Sequence, residues 1–509
     1  MEKKMLLFRR TMKTVLFLAV LSICSPNVWA QSGDLGNGLT WNIEGTTLTI
    51  SKTGEGSGEI SNQGWENKPW TNVTQAIIGE GVTGIGDLMF YGCSYLEGIS
   101  IAEGVTSIGD YAFYLCFSLT DITLPSTLQT IGVWAFADCR SISGEFVIPA
   151  NVVSIGELAF LYCYEFTSFV VDENNAYYKS VDGVLFSKDG ENLIFFPAQK
   201  KGTYSIPDGT TTIGNYAFEG SALTGDLIIP EGVKIIGNSA FINCYSITGL
   251  SLPSTLENLE NRAFAYCKNM TSISVDDSNM NYKSIEGVLF SKNEESLISY
   301  PAAKAGTYTI PESVIIIEEY AFASGILTGV SIPDNVTTIG NAAFVNCSNI
   351  SEITIPTSVT TIGNQAFTSC YKLTDLIIKK TTPPTIGFGA FDQGDNICLN
   401  IIHVPIGSEN AYKTASGYWS DYSHLIRGTE TGLPYIGASQ LSIYPNPTTG
   451  PATITGLTNG DLIKIYNMSG TLVGTYTAAG EELTIDISNL SKGTYLLKTN
   501  TGSFKIIKN

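Results

Sequence analysis

Basic residues and histidine are scarce in this chain of 509 residues. Lys and Arg number 28 against 47 Asp and Glu, which gives a formal charge of −19 at pH 7. A body this acidic repels phosphate backbones, so the composition predicts no nucleic-acid partner. The only histidines are His403 and His424. They offer little to the histidine-based nucleophilic and zinc sites that many enzymes use.

Long apolar runs are also missing, apart from Thr14–Cys24 near the amino terminus. That run is shorter than the ~20 residues that a membrane-spanning helix needs. It follows basic residues and precedes the small residue Ala30, a pattern typical of a secretory signal peptide over residues 1–30. Cys24 leaves a lipoprotein signal open, although Ile23 before it does not fit that motif. We therefore expect an exported mature protein, at the outer cell surface or extracellular, with no transmembrane segment.

What the sequence does contain is one phrase repeated along most of its length. The phrase reads "IGDYAFYLC" at Ile108–Cys116, and its phenylalanine recurs about every 23 residues, with two longer steps of 58. Such a period indicates a solenoid, in which stacking buries the apolar side that a single turn cannot bury alone. The marker phenylalanines are Phe90, Phe113, Phe136, Phe160, Phe218, Phe241, Phe264, Phe322, Phe344, Phe367 and Phe391.

One repeat, Leu119–Cys139, shows how a turn is built. Ile122 and Leu124 alternate with polar residues as in a half-buried strand, and Pro125 ends the strand because proline has no N–H for a ladder. Gly132 then allows a tight bend before the chain returns. The predicted fold is a β-rich solenoid of about eleven turns with two β-hairpin insertions, followed by a small antiparallel β-sandwich.

The two longer steps hold insertions that resemble each other, Tyr177–Pro207 and Asn281–Pro311. Each has two apolar runs around a polar turn, which predicts a hairpin, and we expect both hairpins to protrude from the solenoid. The predicted domains are a signal peptide at 1–30, an N-terminal cap at 31–76, the solenoid at 77–400 with insertions near 172–206 and 276–310, a C-terminal cap at 401–427, a linker at 428–440 and a C-terminal domain at 441–509.

The frame "C..L..I.IP..V..IG..AF..C" resembles the BspA-like branch of bacterial leucine-rich repeat proteins. The resemblance covers about Ile77 to Arg427. It implies a surface protein that adheres to host matrix or to other cells.

The last 70 residues resemble the C-terminal sorting domain of the type IX secretion system. The resemblance implies recognition by the secretion machinery, passage across an outer membrane, removal of the domain, and attachment to surface polysaccharide or release. Deleting Leu441–Asn509 is then expected to leave the protein in the periplasm. The matching residues are Pro445, Asn446, Pro447, Gly450, Gly493, Tyr495, Lys498, Lys505 and Lys508.

Eight cysteines share the third position after the phenylalanine, and this position permits several roles. Export permits disulfides between neighbouring turns, whereas the spacing lacks the CxxC or CxxH pattern common in metal sites. Ser221 and Gly325 take the same position in other turns, which favours small buried thiols. The structural residues of the repeat are predicted to include Phe113, Phe136, Phe241, Cys116, Cys139 and Cys244.

Other motifs carry little chemistry. Gly79–Gly84 fits GxGxxG, but the same segment of the next turn, Ala102–Ser107, keeps only the middle glycine, so the match is a repeat turn and no cofactor loop. The insertion entrances "DENN" (Asp172–Asn175) and "DDSN" (Asp276–Asn279) are either calcium loops or solvated turns. With no HExxH and no GxSxG, we predict no catalytic residue, no cofactor and no metal, and a chain that is not an enzyme.

Two surfaces are candidates for binding an extracellular protein or glycan ligand. The strand face presents small polar and acidic residues, and the corner beside the cysteines presents tyrosines, which either contact partners or shield the core. We predict a non-enzymatic surface protein that binds protein partners; the alternative is glycan binding, with the tyrosines as sugar platforms. The candidate residues are Asp121, Thr123, Glu352 and Asp375 on the strand face, and Tyr91, Tyr95, Tyr114, Tyr162, Tyr164, Tyr245, Tyr266 and Tyr371 at the corner.

Overall fold

A computed structural model describes residues 31–60, 68–392, 399–429, 442–457, 459–467, 471–499 and 503–509. The predicted signal peptide, Cys24, Cys398 and nearly all of the predicted linker lie outside these ranges. The chain divides into two compact units, of which one ends at Leu289 and the other begins at Phe290. Its strands are numbered β1 to β41 in chain order.

The repeat turns contribute strands to two ladders, one of mostly longer strands, among which β8 (Asp121–Ile122) has only two residues, and one of two-residue strands. The longer strands are β4 (Gln75–Ile78), β6 (Gly98–Ile101), β8 (Asp121–Ile122), β10 (Gly144–Ile148), β12 (Phe166–Val171), β17 (Gly225–Ile228), β19 (Ile247–Leu252), β21 (Ser272–Val275), β25 (Thr307–Thr309), β27 (Gly329–Ser331), β29 (Glu352–Ile355) and β31 (Asp375–Ile378). The short strands are β5 (Gly84–Ile85), β7 (Ser107–Ile108), β9 (Thr130–Ile131), β11 (Ser154–Ile155), β16 (Thr212–Ile213), β18 (Ile235–Ile236), β20 (Asn258–Leu259), β26 (Ile316–Ile317), β28 (Thr338–Ile339), β30 (Thr361–Ile362) and β32 (Thr385–Ile386).

Equivalent strands of successive turns pair in parallel and in register, so equivalent side chains stack. Ile108 of β7 lies between Ile85 and Ile131 of the neighbouring turns. The phenylalanine rings stack in the same way, with the Phe113 ring 5.1 Å from that of Phe90 and 5.3 Å from that of Phe136. The fold is therefore the predicted β-solenoid, with a core of repeated isoleucine and phenylalanine.

A three-stranded antiparallel sheet closes the start of the first unit. It consists of β1 (Gln31–Gly36), β2 (Leu39–Glu44) and β3 (Thr47–Lys52), and β3 pairs in parallel with the first repeat strand, β4. Trp70 is fully buried beneath the first turn, and its indole N–H donates to the Met89 carbonyl oxygen at 3.1 Å.

The insertions form hairpins that are buried, so the expectation that they protrude is wrong. Val184, Leu185 and Phe186 are all fully buried. The reason is that β15 pairs with both β14 and the repeat strand β16, which makes the hairpin part of the ladder. The solenoid has about 15 turns, somewhat more than the predicted eleven. The insertion strands are β13 (Tyr178–Val181), β14 (Val184–Ser187), β15 (Asn192–Phe195), β22 (Tyr282–Ile285), β23 (Val288–Ser291) and β24 (Ser296–Ser299).

In the second unit, strands and two short helices follow the last repeat. They are β33 (Ile401–Pro405), α1 (Glu409–Lys413), α2 (Trp419–Tyr422), a 3₁₀ turn (Ser423–Leu425) and β34 (Ile426–Thr429). The Trp419 indole N–H donates to the Pro384 carbonyl oxygen at 2.7 Å, and the Tyr412 hydroxyl donates to that of Lys380 at 2.8 Å. In a continuing solenoid, a further repeat turn would donate hydrogen bonds to these backbone carbonyl oxygens. Here the Trp419 and Tyr412 side chains donate them instead.

The C-terminal strands form two antiparallel sheets, ordered β35–β36–β39 and β38–β37–β40–β41. They enclose a separate core that includes Ile454, Ile463, Ile485 and Leu497. Among the described residues, no helix combines the length and the apolar character needed to cross a membrane. The strands are β35 (Ser442–Tyr444), β36 (Pro451–Thr455), β37 (Leu462–Asn467), β38 (Leu472–Thr477), β39 (Glu482–Asp486), β40 (Gly493–Lys498) and β41 (Ser503–Lys508).

Candidate binding surfaces

The corner that carries the tyrosines has a backbone that alternates in handedness. Around Phe113, Tyr111 and Leu115 have φ of 57° and 66°, in the left-handed region. The Phe113 N–H donates to the Ala135 carbonyl oxygen of the next turn at 2.8 Å. The left-handed residues two places before the marker phenylalanines are Leu88, Tyr111, Trp134, Leu158, Tyr216, Ser239, Arg262, Tyr320, Ala342, Gln365 and Gly389. Those two places after are Gly92, Leu115, Asp138, Tyr162, Gly220, Asn243, Tyr266, Ser324, Asn346 and Ser369.

The cysteines form a ladder of buried thiols. The Cys116 thiol donates to the Phe90 carbonyl oxygen at 3.1 Å, and the Cys139 thiol donates to that of Phe113 at 3.2 Å. The same bond joins each of five further cysteines to a phenylalanine carbonyl one turn earlier, namely Cys163, Cys244, Cys267, Cys347 and Cys370. All eight described cysteines are free and buried.

Burial favours the protonated form of the thiols at Cys93 and Cys370. It raises the pKa of Cys93 to about 11, despite the nearby Lys68 ammonium, and that of Cys370 to about 12. The thiolate is the form that attacks substrates and binds metals. The ladder therefore satisfies backbone carbonyls and fills the core.

Four aromatic rings lie together at the corner of the first three turns, and we call them the aromatic shelf: Tyr91, Tyr111, Tyr114 and Trp134. The Tyr111 and Trp134 rings stack with centroids 5.9 Å apart and planes at 22°. Tyr114 lies 5.6 Å from Tyr91 and 5.4 Å edge-on from Trp134. The candidate residues from sequence omitted Trp134, although it takes the same place in the phrase as Tyr111. Tyr95, which is 61% exposed, follows in the first turn.

A second group of corner residues surrounds a buried carboxyl group, that of Glu219. Glu219 accepts hydrogen bonds from the Tyr164 hydroxyl at 3.3 Å and from the Asn243 amide at 3.1 Å. The Tyr162 backbone N–H also donates to it. The Tyr245 hydroxyl donates to the Asn243 oxygen at 3.1 Å. Burial raises the pKa of Glu219 from 4.5 to about 7.

The position of this carboxyl group follows from the first insertion. In uninterrupted turns, the residue two places after the phenylalanine donates its N–H to the next turn, as Asp138 does to the Leu161 carbonyl oxygen at 2.8 Å. Tyr162 has the equivalent position in the following turn, directly before the insertion. Its N–H donates to the Glu219 carboxylate instead of to a backbone carbonyl oxygen of the next turn. The sequence "AFEGS" gives no sign of this arrangement.

Charged residues extend this group along the corner on both sides. Arg140 pairs with Asp138 at 2.7 Å and lies 5.0 Å from the Phe117 ring centroid. On the other side, the Lys268 ammonium lies 5.1 Å from the centroid of the Tyr245 ring. We call the whole set the corner row: Phe117, Asp138, Arg140, Tyr162, Tyr164, Glu219, Asn243, Tyr245, Tyr266 and Lys268. Tyr266 is half-buried in the turn beside Asn243.

On the strand face of the first unit, Asp121 and Thr123 are exposed. The same face also presents aliphatic side chains that the sequence candidates did not include. Val147 and Val170 pair in register and are 54% and 38% exposed, and Ile228 is 69% exposed. The strand alternation could have placed these residues outward.

The remaining strand-face candidates lie in the second unit. Glu352 and Asp375 pair in register, and burial together with the neighbouring Asp375 raises the pKa of Glu352. His403 of the following strand lies 3.2 Å from Asp375. Tyr371, 58% exposed, also belongs to this unit.

The insertion entrances are hydrogen-bonded turns. Asn175 is fully buried, and its side-chain oxygen accepts the N–H groups of Tyr177 and Tyr178 at 2.9 and 2.8 Å. Its amide donates to the carbonyl oxygens of Pro149 and Val152. Asn279 has the equivalent bonds in the second insertion. Within the described ranges, no three His, Cys, Asp or Glu side chains are grouped so that they could hold a metal ion.

In the C-terminal sheets, the Pro-Asn-Pro loop meets the last strand. The Asn446 amide donates to the Lys505 carbonyl oxygen at 2.6 Å, and its oxygen accepts the Ile507 N–H at 2.9 Å. The Lys508 ammonium donates to the Thr449 carbonyl oxygen. Tyr495 is nearly buried and donates to the Ser491 carbonyl oxygen at 2.8 Å. The first and last parts of the predicted sorting signal are thus brought together.

Two family models match the chain. The BspA type Leucine rich repeat region matches in six copies over residues 59–182, 195–302 and 299–415, which is more than half of the chain. The Secretion system C-terminal sorting domain matches residues 442–509. No curated protein matches the chain.

Several solved structures of leucine-rich repeat proteins are similar. A leucine rich cell surface protein from Faecalibacterium prausnitzii A2-165 is 23% identical over 77% of this chain and 99% of that chain, with a TM-score of 0.41. A leucine-rich repeat protein from Bacteroides ovatus ATCC 8483 is 22% identical over 80% and 99%, with a TM-score of 0.34. The Pneumococcal vaccine antigen PcpA is 17% identical over 79% and 98%, with a TM-score of 0.39.

Proposed function

Because the chain belongs to the BspA-type leucine-rich repeat family and ends in a secretion-system C-terminal sorting domain, it is an exported cell-surface protein, and we propose that it is a non-enzymatic adhesin that binds protein partners. The C-terminal domain would be the part that the secretion machinery recognises. The solenoid would be the part that binds, in adhesion to host matrix or to other cells.

The observation that carries this proposal is a set of exposed aliphatic side chains on the strand face of the first unit. Val147 and Val170 are neighbours in register, and Ile228 lies in a separate sheet of the same unit. The other outward residues of these strands are polar, such as Glu145 and Asp226. An apolar centre with a polar rim is the usual composition of a protein–protein interface. Parallel strands in register hold these side chains on a rigid surface, so little ordering is needed on binding.

The test is a binding array of extracellular-matrix proteins and polysaccharides probed with the full chain. Replacing Ile228 with lysine places a charge in the proposed contact, and we expect about a tenfold loss of affinity or more for a protein partner. The matched control is Ile235→Lys in the next strand of the same turn, on the short-strand ladder, where the side chain is also exposed. Equal losses from both variants, or binding to polysaccharides alone, would overturn the proposal.

A further inference from the structure

The aromatic shelf lies beside a polar groove in the first unit. The groove has a volume of about 350 Å³ and runs along the short strands β5, β7, β9 and β11. Asp110 and Val133 line the groove, and each directly precedes a shelf residue, Tyr111 or Trp134. The backbone of Tyr111 and Trp134 therefore continues directly from the lining of the groove.

The groove is lined with groups that exchange hydrogen bonds. Its polar side chains are those of Glu59, Asp87, Ser107, Asp110, Thr130 and Ser154. Asp87 and Asp110 are fixed in place, because one oxygen of each accepts a backbone N–H of the following turn at 2.7 Å. Carboxylates and hydroxyls held in a row would present a repeated set of acceptors and donors to a ligand.

The glycines of the groove floor have a separate explanation. A Cβ on Gly132 would lie 2.4 Å from the Gly109 carbonyl carbon, and one on Gly156 would lie 2.3 Å from the Val133 nitrogen. Close packing of successive turns therefore requires them. The case for a site rests on the rings and the polar lining.

The two stacked rings have an unusual backbone. Tyr111 and Trp134 both have φ of 57°, a conformation that is uncommon for residues with bulky side chains. Tyr111 is also 36% exposed. Two large rings are thus held near the surface in adjacent turns, with their planes nearly parallel. Smaller residues such as Ser239 and Ala342 occupy the same position in other turns.

From this juxtaposition we propose that the aromatic shelf and the adjoining groove bind a neutral oligosaccharide of pyranose units. The C–H face of a pyranose ring packs on an aromatic face, which is negative, while the equatorial hydroxyls reach carboxylates and hydroxyls at the side. Turns repeat every ~4.8 Å, close to the length of one sugar residue in an extended chain, so successive sugars can meet equivalent groups of successive turns.

Charge and backbone pairing favour this ligand over others. Glu59, Asp87 and Asp110 would repel uronic acids and sialic acids, which makes neutral sugars the preferred class. An extended peptide would need unpaired strand edges along the groove, whereas β7 and β9 are paired on both sides. This site is additional to the proposed protein-binding patch, which lies on the long strands, and it does not depend on that proposal.

The test is calorimetric titration of the full chain with cellohexaose, mannohexaose, chitohexaose and, as the anionic probe, an oligogalacturonate. We expect a neutral hexasaccharide to bind and the oligogalacturonate not to bind. Trp134→Ala and Tyr111→Ala should each weaken binding about tenfold, the loss of one stacked ring, whereas Trp134→Phe should keep most of the affinity. The matched control is Tyr320→Ala. Tyr320 has the same position in its turn, but the next turn has Ala342 there, so no aromatic ring occupies that position in the next turn, and we expect this variant to bind normally.

The outcomes separate the possibilities. Absence of binding by every neutral hexasaccharide at millimolar concentration would overturn the site, as would binding that Trp134→Ala leaves unchanged. If Trp134→Ala instead abolishes binding to a matrix protein, the shelf belongs to a protein interface and the carbohydrate proposal is wrong. Circular dichroism of each variant checks the fold, and the Ile228→Lys experiment is unaffected by any of these results.

Discussion

Replacing Glu219 with glutamine tests whether a buried carboxyl group really bridges the break that the first insertion makes in the ladder. Glutamine has nearly the shape of the protonated carboxyl group and keeps an acceptor for the Tyr162 N–H. The second insertion shows that a turn can form without a carboxylate here, because Ala323 stands where Glu219 stands. We therefore expect Glu219→Gln to fold.

The expected effect depends on pH. Burial has the largest effect on the Glu219 carboxyl group and raises its pKa, and the nearby Asp138 raises it further. The hydrogen bonds from Asn243, Tyr164 and the Tyr162 N–H lower it. The resulting pKa is about 7, against 4.5 for an exposed carboxyl group. The folded state therefore holds the proton more tightly than the unfolded state. The resulting stability is complete below pH 4.5 and is lost as the pH rises through about 7.

A shift of this size corresponds to about 3 kcal/mol of unfolding free energy. Other groups also titrate between these limits, so the informative quantity is the difference between wild type and Glu219→Gln. Relative to the variant, the wild-type chain should lose about 3 kcal/mol between pH 4.5 and pH 8.

The assay is urea unfolding of both full chains at the two pH values, followed by circular dichroism. The control is Glu165→Gln, which removes an exposed carboxylate next to Tyr164 and should leave the difference from wild type the same at both pH values. If the difference between wild type and Glu219→Gln is also independent of pH, the carboxyl group is not buried as described and the bridge across the insertion is wrong.

Two further predictions concern the thiol ladder and the tail. The eight buried thiols should not react with a disulfide reagent at pH 8 until the chain is unfolded, and rapid labelling of the native chain would contradict the ladder. Cys139→Ala should lower the unfolding free energy more than Cys139→Ser, by about 1 kcal/mol, because serine keeps a donor for the Phe113 carbonyl oxygen. Deleting Leu441–Asn509 should leave the protein in the periplasm, as fractionation and surface labelling would show, and its continued presence at the surface would rule out a sorting role for the tail.

The repeat itself could be predicted because its signal is local. The spacing of phenylalanines such as Phe113 and Phe136 reports directly on turns that stack, and the alternation around Ile122 places side chains inward or outward. A residue like Trp134 could have been found in the same way, by aligning it with Tyr111 in the preceding turn.

The insertions were harder because their burial depends on a contact distant in sequence. "GVLFS" reads as a hairpin strand, but only the pairing of Leu193 with Ile213 shows that the hairpin joins the ladder. Glu219 was missed for a related reason. A glutamate at this position of the sequence looks like an ordinary surface charge. Its role becomes visible only in the structure, where it accepts the Tyr162 N–H in place of a backbone carbonyl oxygen.

The left-handed backbone of the corner restricts which residues the exposed positions accept. At the described left-handed positions of the phrase, two places before and two places after each marker phenylalanine, no residue is valine, isoleucine, threonine or proline. Branching at Cβ is strongly disfavoured in that conformation, and the proline ring forbids it. At the exposed positions, such as Leu88, Tyr111 and Gln365, the remaining amino acids can vary without entering the core, whereas Asp138, Ser239, Ser324 and Ala342 are buried and should be kept. A combinatorial library over the exposed positions that omits those four residue types would therefore change the surface while keeping the scaffold, which makes this corner suited to the selection of new binding specificities.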